Sequence, residues 1–169
     1  NYAREIMELF CLGEGHYTET DIRELARCFT GWEIRREEFR FNRYQHDSGT
    51  KTIFNKTGDF GGEEGVQIVL EQNSAPEFIA SKLVRFFVMD EPQPTAELIA
   101  PLAKELRESG MMIQPVLRRI LTSNVFYSPY SIGRKVRSPV ELAIGLLRCL
   151  EGTTNTFDLA AAMQTLGQG

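Results

Sequence analysis

No stretch of the sequence approaches the roughly 20 uninterrupted apolar residues that a membrane-spanning helix needs. No basic run leads into an apolar one as in a secretory leader. Basic charge is also short: 19 Lys and Arg stand against 23 Asp and Glu, a formal net charge of -4, so no global field exists to hold nucleic acid. The three cysteines, Cys11, Cys28 and Cys149, are an odd number without CxxC spacing, which argues against a disulfide framework and a zinc knuckle. Histidine occurs only at His16 and His46, and neither follows a glutamate at i+3, the spacing used by carboxylate-bridged di-metal sites. Serine-nucleophile motifs, HExxH and a phosphate-cradling glycine loop are missing as well. Neither a metal nor a cofactor is therefore expected, and the common hydrolase and nucleotidase classes lose their usual signatures.

What is present reads as one domain over residues 1–169, since 42% hydrophobic residues suffice for one core and no linker divides the chain. The run Asn1 to Gly13 is helical from its first residue, with Tyr2, Ile6, Leu9 and Phe10 apolar and Asn1, Arg4, Glu5 and Glu8 along one edge. A helix already under way at residue 1, and a last helical stretch that stops at Gly167-Gln-Gly169, predict a fragment of a longer protein truncated at both ends. Such a fragment should leave apolar residues near its ends, Ile6 or Leu166, exposed.

Hydroxyl and carboxylate caps in Thr18 to Asp21 start a second helix with Ile22, Leu25, Ala26 and Phe29 inward. Thr30-Gly31-Trp32 ends it, and alternating residues then predict one small β-hairpin over about residues 34–55. Further helices follow: Glu63 to Gln72; one from a capping box Ser74/Glu77 to about Val88, with Ile79, Leu83, Phe86 and Phe87 inward; and Thr95 to Glu108, bent at Pro101. Ile113 to Leu121, a helix opened by a capping box Ser138/Glu141 with Pro139 at its first position, and Phe157 to Leu166 complete the set. The fold class is mainly α, an irregular domain of seven to eight helices with one hairpin.

His46, Asp47 and Lys51 bring an imidazole, a carboxylate and an amine together at the expected hairpin turn, a cluster suited to acid and base work or to holding a turn. Glu5 and Glu8 lie on neighbouring helix edges, as paired carboxylates do, and Arg4 at i, i+4 from Glu8 offers an ordinary ion pair instead. Trp32 is a stacking platform or a core plug. Lys135 and Arg137, beside the start of the Pro139 helix, offer an anion site or a solvated basic loop.

Taken in order, Asn1-Tyr-Ala-Arg-Glu-Ile-Met-Glu-Leu-Phe10-Cys-Leu-Gly13, Tyr17-Thr18 with Asp21, Ala26-Arg-Cys-Phe-Thr-Gly-Trp32, His46-Asp47-Ser-Gly49-Thr-Lys51 and Lys135-Val-Arg-Ser-Pro-Val-Glu141 resemble the bacterial family called domain of unknown function 1800. The resemblance spans almost the whole chain and implies an exported, extracytoplasmic protein, periplasmic or secreted. It implies no established activity. Phe10 departs from the family pattern, where many relatives carry histidine, so a site that needs that histidine is in question in this chain.

Two functions follow. The first is a helical binding or scaffold module at the cell envelope, with an envelope protein as partner, no nucleic acid and no membrane span in this segment. The second is a hydrolase-like enzyme whose catalytic groups are His46, Asp47, Glu5 and Glu8, with Arg4 and Lys51 beside them. Convergence of the first-helix edge on His46 and Asp47 separates the two.

Overall fold

The computed structural model describes residues 1–167; Gln168 and Gly169, the end of the last sequence pattern, lie outside the described residues. The fold is mainly α, with eight α-helices, one π-helical segment and two small antiparallel hairpins among the described residues. No helix among the described residues is long and apolar enough to cross a membrane.

The first helix, α1 (Tyr2–Glu5), passes directly into a π-helical segment, Ile6–Cys11. There the Leu12 amide donates to the Met7 carbonyl at 2.7 Å, five residues back instead of four. The wider register turns Ile6, Met7, Cys11 and Leu12 into the core and leaves Leu9 and Phe10 outside. An apolar stripe counted at 3.6 residues per turn misassigns those last two for that reason.

In α2 (Glu19–Cys28), Thr18 and Asp21 cap the first turn reciprocally, as the sequence predicts. Its buried residues are Leu25 and Cys28, whereas Ala26 is exposed. The reason is α3 (Gly62–Leu70), which approaches so closely at Gly65 that an added Cβ would lie 2.8 Å from Leu25 Cδ1 and 3.3 Å from Cys28 Sγ.

The expected single hairpin is two. Strands β1 (Trp32–Arg35) and β2 (Glu38–Phe41) pair Trp32 with Phe41 and Ile34 with Phe39, while β3 (Lys51–Ile53) pairs with β4 (Lys56–Gly58). Each closes through two residues at positive φ, Arg36-Glu37 and Phe54-Asn55, the geometry that matches strand twist. His46 and Asp47 consequently lie in the connection between hairpins and not at a hairpin tip.

Four helices follow α3 before the last: α4 (Ser74–Phe87), α5 (Ala96–Glu108), α6 (Ile113–Leu121) and α7 (Pro139–Cys149); α8 (Thr156–Thr165) ends the described chain. The Ser74 capping box does not form, because Asn73 is already helical (φ -60, ψ -32) and Ser74 sits inside the first turn. Thr95 caps α5, and Pro101 lies inside that helix beyond its first turn. Ser138 and Glu141 cap α7 reciprocally around Pro139.

Burial falls into two clusters. One gathers the π-helical segment, α2, α3 and Ile53; the other gathers α4, α5 and α6, and Met111 touches both. Neither α7 nor α8 contributes a buried residue, and Leu166 is exposed while Ile6 is buried.

Candidate functional site

Two of the sequence-selected polar residues, His46 and Asp47, meet near the C-terminal end of α2 in a clamp built on Arg27 and Thr30. The Arg27 guanidinium donates to both oxygens of Asp47, to Glu24 at 2.9 Å and to the Thr50 carbonyl at 3.1 Å. Asp47 also accepts the Gly49 amide, and Glu24 accepts the Thr52 amide. Hydrogen bonding to Arg27, then to the Gly49 amide, holds the Asp47 carboxyl down at about 2. The Thr30 hydroxyl donates to the Arg27 carbonyl and accepts the Asp47 amide, closing the ring.

His46 belongs to the same clamp. Its Nδ1 lies 2.8 Å from the Thr30 carbonyl oxygen. A carbonyl only accepts, so Nδ1 carries the hydrogen and Nε2 is left as the free ring nitrogen. Phe41 packs edge-on against the imidazole at 5.2 Å. Lys51 is fully buried, its ammonium 2.9 Å from Asp59 Oδ1, so its charge is committed to an ion pair at the edge of the fold.

The first-helix edge is engaged elsewhere. Arg4 forms a two-pronged pair with Glu19, at 2.7 and 2.8 Å, and Glu8 accepts the Tyr17 hydroxyl at 2.7 Å. Desolvation, then the Glu8 carboxylate, pushes the Tyr17 phenol up to about 12. Glu5 is exposed. Glu19 and Tyr17 stand at the start of α2 while Thr30 stands past its end, a separation of about 16 Å along the helix. No hydrogen bond or ion pair among the described residues joins Arg4, Glu5 or Glu8 to His46, Asp47 or Lys51. The expected convergence is thus absent, because α2 carries the two sets at its opposite ends. Among the described residues no group of three His, Cys, Asp or Glu side chains is placed to hold a metal ion.

The remaining sequence-selected residues lie in three other places. Trp32 packs edge-on between Phe29 and Phe39, at 5.1 and 5.2 Å, with part of its indole exposed. Lys135 lies at the mouth of an open groove of ≈ 630 Å³. Arg137 is exposed near Gly145 of α7, outside that groove.

The groove is an open concave surface centred on α4. Its floor is Ile79, Leu83, Phe86 and Phe87 of α4, with Phe10 from the π-helical segment and Ile113 from α6 as walls. Phe86 is 70% exposed and Phe10 62%. Lys82, Arg85 and Lys135 form a cationic rim, and Asp90 is the one acidic lining residue. Lys135 pairs with Asp90, whose carboxyl is lowered by that lysine and by the Val136 amide. Lys82 reaches the Leu9 carbonyl, and the Arg85 guanidinium has no ion-pair or hydrogen-bond partner among the described residues. Sequence periodicity assigned Phe86 to the core. Phe87, its neighbour, is the half-buried ring that packs against the α4–α6 cluster, while Phe86, about 100° further round the helix, faces out.

Residues 1–169 match the sequence model of the family described as protein of unknown function (DUF1800). No curated protein and no solved structure matches the chain.

Proposed function

Because the chain belongs to the DUF1800 family, whose description carries no activity, its function has to come from its own geometry, and we propose that it is a helical binding module that holds an acidic amphipathic segment of a partner polypeptide in the α4 groove. The observation that carries this reading is the exposed apolar floor around Phe86 under a rim of three cations. Burying one such phenylalanine contributes about 1.5–3 kcal/mol, so Phe10 and Phe86 together supply a useful share of a micromolar interaction. The groove is lined by side chains of helical segments, so recognition falls to side chains, as it does when a helix docks through residues at i, i+3, i+4 and i+7. Unpaired Arg85 favours carboxylates flanking that apolar stripe. The exported bacterial setting implied by the sequence resemblance makes an envelope protein the natural partner.

The hydrolase-like alternative draws less support. Asp47 is held by Arg27, Lys51 by Asp59, Arg4 by Glu19 and Glu8 by Tyr17, which leaves the free His46 Nε2 without a companion.

The test is fluorescence anisotropy of a dye-labelled helical peptide of about 16 residues, leucine at i, i+3, i+4 and i+7, flanked by glutamates or by lysines. The glutamate peptide should bind, Arg85→Glu should weaken it about tenfold, and Phe86→Asp should abolish it. Equal binding of the two peptides, or binding indifferent to Phe86→Asp, defeats the proposal. Envelope location is checked by fractionating cells that express the protein.

A further inference from the structure

The β1–β2 hairpin presents a second surface, independent of the groove. Its register places Trp32 opposite Phe41 and Ile34 opposite Phe39, and alternation along each strand puts all four on one face. That face is open: Trp32 is 37% exposed, Ile34 81%, Phe39 63% and Phe41 49%. The other face holds the charges, with Arg40 and Glu33 paired at 3.4 Å. The Asn42 amide closes the hairpin base by donating to the Gly31 carbonyl at 2.7 Å, and Trp32 and Phe41 hold that base to the body by resting on Phe29 and His46. The distal pair Ile34 and Phe39 therefore stands on a fixed support.

Near this face stand Arg36 in the β1–β2 turn and Arg43 just past β2, neither with an ion-pair partner among the described residues, while Arg35, opposite Glu38, belongs to the charged face. Residues 32–44 carry four arginines against three glutamates, a local positive balance in a chain of net charge -4. We infer that the hairpin docks onto an anionic lipid surface, with Ile34, Phe39 and the edges of Trp32 and Phe41 at the acyl boundary and the arginines at phosphate level. Aromatic and aliphatic side chains flanked by arginine suit that boundary, where small apolar insertions and about 1 kcal/mol per basic residue add up.

Size separates this occupant from a protein. Two strands of four residues, about 13 Å long and about 5 Å apart, present a face on the order of 100 Å², far short of the roughly 800 Å² per partner of a stable protein interface. Ring geometry separates it from nucleic acid. Trp32 and Phe39 meet at 78°, edge to face, so they offer no stacked platform for successive bases.

Trp32 is the sole tryptophan of the chain, so its fluorescence reports on this hairpin alone. The full chain is mixed with vesicles of phosphatidylcholine, or of phosphatidylcholine with phosphatidylglycerol, each with and without brominated acyl chains. A blue shift and bromine quenching are expected on the anionic vesicles only. The exposed-face double variant Ile34→Ser/Phe39→Ser should lose about tenfold in partitioning, while Phe86→Ser in the groove should leave it unchanged. Absent quenching, equal quenching on neutral vesicles, or partitioning indifferent to the double variant overturns the inference. So does a vesicle-free blue shift that grows with protein concentration, which assigns the face to a second copy.

Discussion

Arg27 and Asp47, from α2 and from the connection between the two hairpins, form a two-pronged ion pair, Nε to Oδ2 at 2.7 Å and Nη2 to Oδ1 at 3.2 Å. The pair fixes the connection to the end of α2 and so sets where both hairpins leave the helical body. His46 and Asp47, two of the four residues picked out in the sequence for catalysis, take part in this clamp. The clamp therefore also helps to orient the face of the β1–β2 hairpin.

Acid should undo the clamp. Asp47 titrates at about 2 in the folded chain, held down first by Arg27 and then by the Gly49 amide, against an unfolded value of about 3.9. A carboxyl with a depressed folded pKa contributes stability above its unfolded pKa and loses it as pH falls through the folded one. The stability advantage of the natural chain over Asp47→Asn should be constant above about pH 5 and vanish between about pH 4 and pH 2. Urea midpoints of both proteins against pH measure it. Partial exposure of Asp47 keeps the advantage modest.

Gly31 should tolerate no side chain. Its φ is +82, and an added Cβ would lie 2.6 Å from the Asn42 carbonyl oxygen, which belongs to the backbone at the hairpin base. Gly31→Ala should cost more than about 1 kcal/mol in chemical unfolding and red-shift Trp32 as the β1–β2 base opens. An unchanged midpoint and spectrum would mean that the base yields without cost.

Much of the fold was legible because its signals are local. Thr18 with Asp21, Thr95 and Ser138 with Glu141 each satisfy amides within three residues, so short sequence windows contain the whole interaction. The π register of Ile6–Cys11 is not local in that sense, and it leaves the apolar Leu9 and Phe10 at the surface. The split into two hairpins depends on Trp32 and Ile34 pairing with Phe41 and Phe39, a choice among registers that alternation alone does not make. The site was harder still. Arg27 finds Asp47 across 20 residues, Lys135 finds Asp90 across 45, and nothing near either residue announces its partner.

Thiol reactivity should divide sharply. Burial raises Cys11 and pushes Cys28 up to about 11, while Cys149 is exposed. At pH 8, Ellman's reagent should label one thiol rapidly and the other two only as fast as the chain opens. Rapid labelling of two or three thiols in the folded protein would contradict the burial of the π-helical segment against α2.

The α7 cap should act locally. The Ser138 hydroxyl accepts the Glu141 amide, and α7 buries none of its residues, so its first turn relies on that cap more than on packing. Ser138→Ala should cost about 1 kcal/mol there, seen as roughly fivefold faster hydrogen exchange at Glu141 and Leu142. The global unfolding midpoint should not move. A shift of the midpoint equal to the local loss would show instead that α7 unfolds together with the two buried clusters.

Lys51 offers a test of what its charge contributes. The side chain is wholly buried, yet its partner Asp59 is more than half exposed and can return to water if the ammonium is removed. Removing one member of a buried pair is costly when the other stays stranded, and here it would not be stranded. The aliphatic stem fills space beside Ile53 on β3, so packing should dominate over charge. Lys51→Met, which keeps that volume, should change stability by no more than about 1 kcal/mol, whereas Lys51→Ala should cost about 2–4 kcal/mol through the void it leaves. Equal losses in the two variants would place the energy in the Lys51–Asp59 ion pair, and a wild-type-like Lys51→Ala would mean that the β3–β4 hairpin closes over the gap.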